Sequence, residues 1–179
     1  MATTNRQCGE CTLCCKVFSI TELSKPAGRW CEHCTIGKGC NIYPDRPAAC
    51  SGFDCSWLVT AWIGEDWKPS RSGMVLHTDR ALKRILVRVD PDQPDAWQKE
   101  PYHSQLRRWA AEWMPSKSSI LVLLDDKVWV IFPDRDLYMG EVPSDETVVT
   151  HWTDTPQGPR LSAIRAKARA TGSAAQKPL

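Results

Sequence analysis

The chain lacks several features that would assign it to a functional class at once. No stretch approaches the roughly 20 consecutive apolar residues of a membrane-spanning helix. The residues from Met1 to Cys8 contain no apolar segment of the kind found in secretory signals. There is also no Gly-rich phosphate loop and no spaced His-Glu motif of a metalloprotease helix. We therefore expect a cytoplasmic protein without a membrane partner, and nothing indicates nucleotide binding or zinc proteolysis.

An excess of charge of one sign is also missing over most of the chain. The 179 residues carry a formal net charge of +2, so the field of the whole molecule favours no class of partner. Basic and acidic residues balance between Cys8 and Cys55, and a basic stretch without acidic residues begins only at Arg160. Because a nucleic-acid-binding protein usually presents a basic face, we expect a protein partner rather than a nucleic acid.

Cysteine is absent from most of the chain, since none follows residue 55. The nine that are present all lie towards the N-terminus: Cys8, Cys11, Cys14, Cys15, Cys31, Cys34, Cys40, Cys50 and Cys55. Nine is an odd number, and disulfides are not expected to persist in a protein that is not exported. Clustered thiols of this kind are typical of a metal site. We therefore predict that these nine residues are metal ligands and that the segment folds around the metal.

The spacing of the cysteines supports a metal but leaves its identity open. Two cysteines separated by two residues, as in Cys31 and Cys34, can reach one ion from a tight turn. Adjacent side chains tend to diverge, so either Cys14 and Cys15 serve different metals or only one of them is a ligand. Two zinc ions would use eight thiolates, and so would two [4Fe–4S] clusters. The bacterial ferredoxin run is incomplete, because no cysteine is followed by proline.

Two longer motifs contain most of these cysteines. They are Cys8-x2-Cys11-x2-Cys14-Cys15 and Gly39-Cys40-Asn-Ile-Tyr43-Pro-Asp-Arg46-Pro47-Ala-Ala-Cys50-Ser-Gly-Phe53-Asp-Cys55. Over about residues 8–57 the chain resembles the YkgJ-type cysteine-cluster family, which is described as chelating zinc or iron. The resemblance implies that the following are ligands, with one or both of Cys31 and Cys34: Cys8, Cys11, Cys14, Cys15, Cys40, Cys50 and Cys55. The chain departs from the family at Ser51, where an arginine is common.

The pattern of apolar residues predicts an α+β fold with three segments. We expect an irregular, metal-stabilised cysteine module over residues 1–57. A small antiparallel sheet with one covering helix is expected over 58–152, where an apolar stripe in 101–114 predicts the helix and apolar runs on both sides of 125–127 predict a hairpin. Composition predicts a disordered basic tail over 153–179, with a nascent helix at Leu161–Ala170.

These observations together predict an intracellular metal-binding protein. Its cysteine module would chelate zinc or an iron centre in a structural or metal-handling role, and no residue is predicted to be catalytic. One alternative is an iron–sulfur redox enzyme or electron-transfer subunit, which would be an oxidoreductase. A second alternative is storage or delivery of a soft metal such as copper, for which surplus thiolates are suitable ligands.

Overall fold

The computed structural model describes residues 4–168, which contain both helices and strands, so the predicted α+β class is confirmed. The helices in this range are α1 (Cys14–Val17), α2 (Ala48–Ser51), α3 (Ser56–Val59), α4 (Pro69–Ser72) and α5 (Tyr102–Glu112). The strands are β1 (Cys34–Thr35), β2 (Gly39–Cys40), β3 (Met74–Asp79), β4 (Arg84–Val89), β5 (Ser119–Leu124), β6 (Lys127–Ile131), β7 (Asp136–Glu141), β8 (Glu146–Thr155) and β9 (Gly158–Lys167). None of the described helices is both long and apolar enough to traverse a lipid bilayer.

The chain divides into two compact units. The first unit is the chain through His77 together with Arg88–Trp97, and the second is Thr78–Val87 together with the chain from Gln98 onward. The first unit therefore contains the predicted cysteine module, the connection that follows it, and a segment that lies more than thirty residues beyond the last cysteine.

The first unit is built from short elements around a small apolar core. Leu13, Val17 and Val75 are buried together, and Phe18 and Phe53 pack against them with ring centroids 4.6 Å apart. The helices that carry or directly follow cysteines are single turns of four residues, too short to be stable alone. Their conformation therefore depends on tertiary contacts and on whatever the cysteines bind.

Five strands form one sheet in the order β3-β4-β5-β6-β7. β5 pairs with β6 and β6 pairs with β7 in antiparallel register, which confirms the predicted hairpin around Asp125 and Asp126. The Ser119 amide donates to the carbonyl of Lys83 at 3.1 Å, so β5 starts beside the start of β4 and runs parallel to it. The sheet is therefore mixed, where the sequence predicted an antiparallel one, because α5 forms a crossover connection between β4 and β5.

The predicted covering helix is confirmed. α5 packs on β5 and β6, and its buried residues are Leu106, Trp109 and Ala110, three members of the predicted apolar stripe. The stripe repeats at the helical period, so one face of α5 can cover the sheet while the opposite face stays polar.

The prediction of a disordered tail from residue 153 is wrong for the part of it that the structure describes. β8 and β9 form a long antiparallel hairpin that reaches Lys167, and no helix forms over its second strand. Val148 and Leu161 are buried in the core of the second unit, and Arg165 pairs with Glu146 at 2.7 Å. Cross-strand pairing and these two apolar anchors stabilise a segment whose composition resembles a loop. The rest of the predicted tail, from residue 169, lies outside the described residues.

Candidate metal centre

A tight turn presents the first cysteines. The amide of Cys11 donates to the carbonyl of Cys8 at 2.8 Å, and Gly9 in between has φ +52°, a left-handed conformation that favours glycine. The chain then enters α1, whose first two residues are Cys14 and Cys15. This local path brings the two-residue spacings of the motif into one small region, as ligand pairs require.

Four cysteines line one cavity of about 20 Å³. They are Cys8, Cys11, Cys14 and Cys55, which we call cluster A, and the remaining wall is formed by Trp57, Leu58, Pro69 and Val75. A space of this size holds one occupant as large as a water molecule. Cluster A thus combines four thiols, the number that a tetrahedral ion requires, with a mostly apolar wall.

Cys55 joins cluster A from a distant part of the chain. It precedes α3, and the amides of Leu58 and Trp57 donate hydrogen bonds to its sulfur. Burial nevertheless raises the pKa of Cys55 to about 11, and the neighbouring Cys11 and Cys8 add to this effect. Burial also raises the pKa of Cys8. A bound cation would reverse this balance, because it stabilises the thiolates that are its ligands.

The other five cysteines, Cys15, Cys31, Cys34, Cys40 and Cys50, form a second group that we call cluster B. The Cys31 amide donates to the carbonyl of Cys15 at 3.1 Å, and the Cys34 amide donates to that of Cys31 at 3.0 Å. Cys34 and Cys40 are directly opposite each other in the β1–β2 hairpin. Backbone hydrogen bonds and the pairing of β1 with β2 therefore place four of these residues close together, namely Cys15, Cys31, Cys34 and Cys40.

Electrostatics link the members of cluster B and add Cys50, which lies on α2. Burial raises the pKa of Cys50, and the nearby charges of Cys15, Cys31 and Cys40 raise it further. The pKa of Cys34 is raised to about 11 by burial and by Cys15. As in cluster A, the thiols lie so close together that their ionised forms repel one another, and a cation among them would relieve this repulsion.

The two clusters meet at Cys14 and Cys15. A hydrogen bond with the Cys14 thiol, together with burial, raises the pKa of Cys15, whose sulfur also interacts with that of Cys34. Cys14 lines the cavity of cluster A. The adjacent pair thus has one residue in each cluster, as expected if the two serve different metals.

All nine cysteines are free thiols, so no disulfide is present in this arrangement. Within the described residues, however, no group of three or more His, Cys, Asp or Glu side chains is arranged to hold a metal ion. The thiols of each cluster lie near one another, but their sulfur atoms do not point to a common centre. The donor chemistry and the small cavity fit a thiophilic metal, and binding would require the sulfurs of each cluster to turn towards a common centre.

Two cations lie close to the thiols, and nothing in the cysteine spacing identified the first of them. Lys25 is buried, and its Nζ donates to the carbonyls of Lys16 and Pro26 at 3.0 Å and to that of Phe18. Burial lowers the pKa of Lys25, while the thiolates of Cys31 and Cys15 raise it. Its Nζ therefore lies beside cluster B, where an ammonium offsets thiolate charge.

Arg46, in the second motif, provides the other cation. Its guanidinium lies over the ring of Tyr43 at 3.9 Å, and its charge lowers the pKa of Cys8, although burial and Cys11 raise that pKa more strongly. This motif signalled Arg46 in the sequence, whereas nothing in the spacing signalled Lys25.

A buried ion pair holds α1 in place. Lys16 Nζ lies 2.5 Å from Asp90 Oδ1 and 2.5 Å from Asp92 Oδ2, and the Lys16 side chain is 4% exposed. Because Lys16 directly follows Cys14 and Cys15, this contact ties both clusters to Arg88–Trp97, the later segment of the first unit.

No protein-family model matches this chain, and no curated protein and no solved structure is detectably similar to it.

Proposed function

We propose that this chain is a metal-binding protein whose N-terminal cysteines chelate zinc or an iron centre in a structural or metal-handling role. One observation carries the proposal: the nine thiols form two adjoining clusters, each with at least the four donors that one tetrahedral ion needs. The resemblance to the YkgJ-type family supports the same conclusion and stays a prediction.

The charges around the clusters favour metal binding over the alternative that the cysteines only fill space in the core. Burial raises the pKa of Cys8, Cys50 and Cys55, so these thiols are costly to ionise without a cation. A chain that packed cysteines only as small apolar residues would have no need for a buried lysine beside them. Free thiols also require a reducing compartment, which is consistent with a cytoplasmic location.

Elemental analysis of protein purified without oxygen, with the absorption spectrum of the same sample, tests the proposal. We expect about two zinc ions per chain and no visible absorption band, because two clusters of four ligands bind two tetrahedral ions. A preparation that binds no zinc, iron or copper under reducing conditions would contradict the proposal.

The spacing Cys8-x2-Cys11-x2-Cys14 favours an iron–sulfur centre as the second candidate. In that case the same sample would contain iron and acid-labile sulfide, would be coloured, and would bleach reversibly on reduction. A role in electron transfer or as an oxidoreductase would then become the primary proposal. Labile loading with several copper ions per chain would instead indicate storage or delivery.

A further inference from the structure

One side chain in the wall of cluster A has an unused hydrogen-bond donor. Trp57 is 4% exposed and lines the cavity with Cys8, Cys11, Cys14 and Cys55. Its Nε1–H is buried and has no hydrogen-bond partner in the part of the chain that the structure describes. The same residue therefore lines the cavity of the four cysteines and carries a buried donor without a partner.

A buried indole N–H costs free energy unless another group accepts a hydrogen bond from it. Buried Trp N–H groups usually have a partner, because burying an unpaired polar group costs free energy. The atoms that share the cavity are thiols and apolar carbons, and a neutral thiol is only a weak acceptor. A thiolate bound to a metal ion carries negative charge and accepts a much stronger, charge-assisted hydrogen bond.

The surroundings of Trp57 favour negative charge beside it. The guanidinium of Arg6 lies 5.1 Å from the ring centroid, and the Lys68 ammonium lies 5.4 Å from it. Arg6 is fixed because it donates to the carbonyls of Trp57 at 2.7 Å and Ile63 at 2.7 Å, and it pairs with Glu65 at 2.9 Å. Two cations thus lie against the ring, and their positive charge favours an anion close to the indole.

We propose that the Nε1–H of Trp57 donates a hydrogen bond to a metal-bound thiolate of cluster A. Trp57 is thus a positioning residue: it holds one ligand sulfur in place and offsets part of the charge of a four-thiolate site, as outer-shell donors do in other metal sites. The inference rests on the proposed function, since the acceptor exists only when cluster A holds a metal. The two cations and the indole together favour the negative charge that cluster A carries when four thiolates bind a metal.

Nuclear magnetic resonance of the whole chain tests the bond directly. With isotopically labelled tryptophan, the indole proton resonance of Trp57 should move on metal loading. When the metal is an NMR-active cadmium isotope, this proton should show a scalar coupling to it through the sulfur. Cadmium bound at full stoichiometry with no coupling and no change of the Trp57 resonance would overturn the inference and leave the proposed function intact. Absence of any bound ion would overturn both.

Substitution tests what the bond contributes to affinity. Trp57→Phe removes the donor but keeps an aromatic ring, and it should weaken binding of one zinc ion by about 10- to 100-fold in competition with a chelating dye. Trp152→Phe is the matched control, because its Nε1 is likewise buried without a partner among the described residues, but it packs against the core of the second unit. It should leave zinc affinity unchanged. Equal affinities of the wild type and the folded Trp57→Phe variant would overturn the inference, and if that variant does not fold, the cadmium coupling in the wild type decides.

Discussion

Cys14→Ser is expected to remove one of the two bound ions, because cluster A would then have only three thiols. The adjacent Cys15→Ser leaves four thiols in cluster B and should keep both ions. Cys14 lines the cavity of cluster A, whereas Cys15 belongs to cluster B. A serine hydroxyl does not replace a thiolate as a ligand for a soft ion. Binding of a structural zinc ion is worth about 10–16 kcal/mol, so losing the cluster A ion should also lower the unfolding temperature of the first unit strongly.

The measurement is the metal content of each purified variant beside its thermal unfolding curve. Because the two substitutions are adjacent and chemically identical, they perturb α1 equally, and any difference between them reflects the cluster to which each cysteine belongs. Cys40→Ser is the comparison within cluster B, where four thiols would remain, so both ions should stay bound. Two ions retained in Cys14→Ser would show that Cys14 is not a ligand, and loss of both ions from either variant would indicate a single shared centre.

The sequence could predict the elements that carry a strong apolar period. The hairpin of β5 and β6 and the helix α5 were predicted from such patterns, because each buries one face against the core of the second unit. The β8–β9 hairpin was missed because its residues are mostly polar and only Val148 and Leu161 are buried. Its formation depends on cross-strand partners, which local composition does not reveal.

The site shows the same division between local and long-range information. Spacing singled out the cysteines as candidate metal ligands and predicted that Cys14 and Cys15 differ in role. It did not show that Cys55 joins Cys8, since that contact depends on how the chain folds between them. Spacing also gave no reason to select Trp57 from the nine tryptophans of the chain. Only the tertiary arrangement shows which indole lies beside four thiols.

The ion pair beneath α1 leads to the second large effect. Asp90→Ala is expected to lower the free energy of unfolding by about 3–5 kcal/mol, because removal of one partner leaves the other charge buried and uncompensated. Burial opposes the charge of Lys16, but hydrogen bonds to Asp90 and Asp92 raise its pKa, so it stays protonated in the folded protein. Urea unfolding of the metal-loaded protein at one fixed concentration of free metal, followed by tryptophan fluorescence, measures the loss.

Asp92→Ala provides a matched control for this prediction. Asp92 and Asp90 lie at the same 2.5 Å distance from Lys16 Nζ, but the Asp92 side chain is 77% exposed and that of Asp90 is 10% exposed. A solvated carboxylate contributes about 0–1 kcal/mol to such a pair, so the two variants should differ by several-fold in their effect. Equal losses would contradict the assignment of Asp90 as the buried partner. If Lys16→Met in the Asp90→Ala background restores stability, the cost of Asp90→Ala lies in the stranded ammonium, since an apolar side chain there needs no counterion.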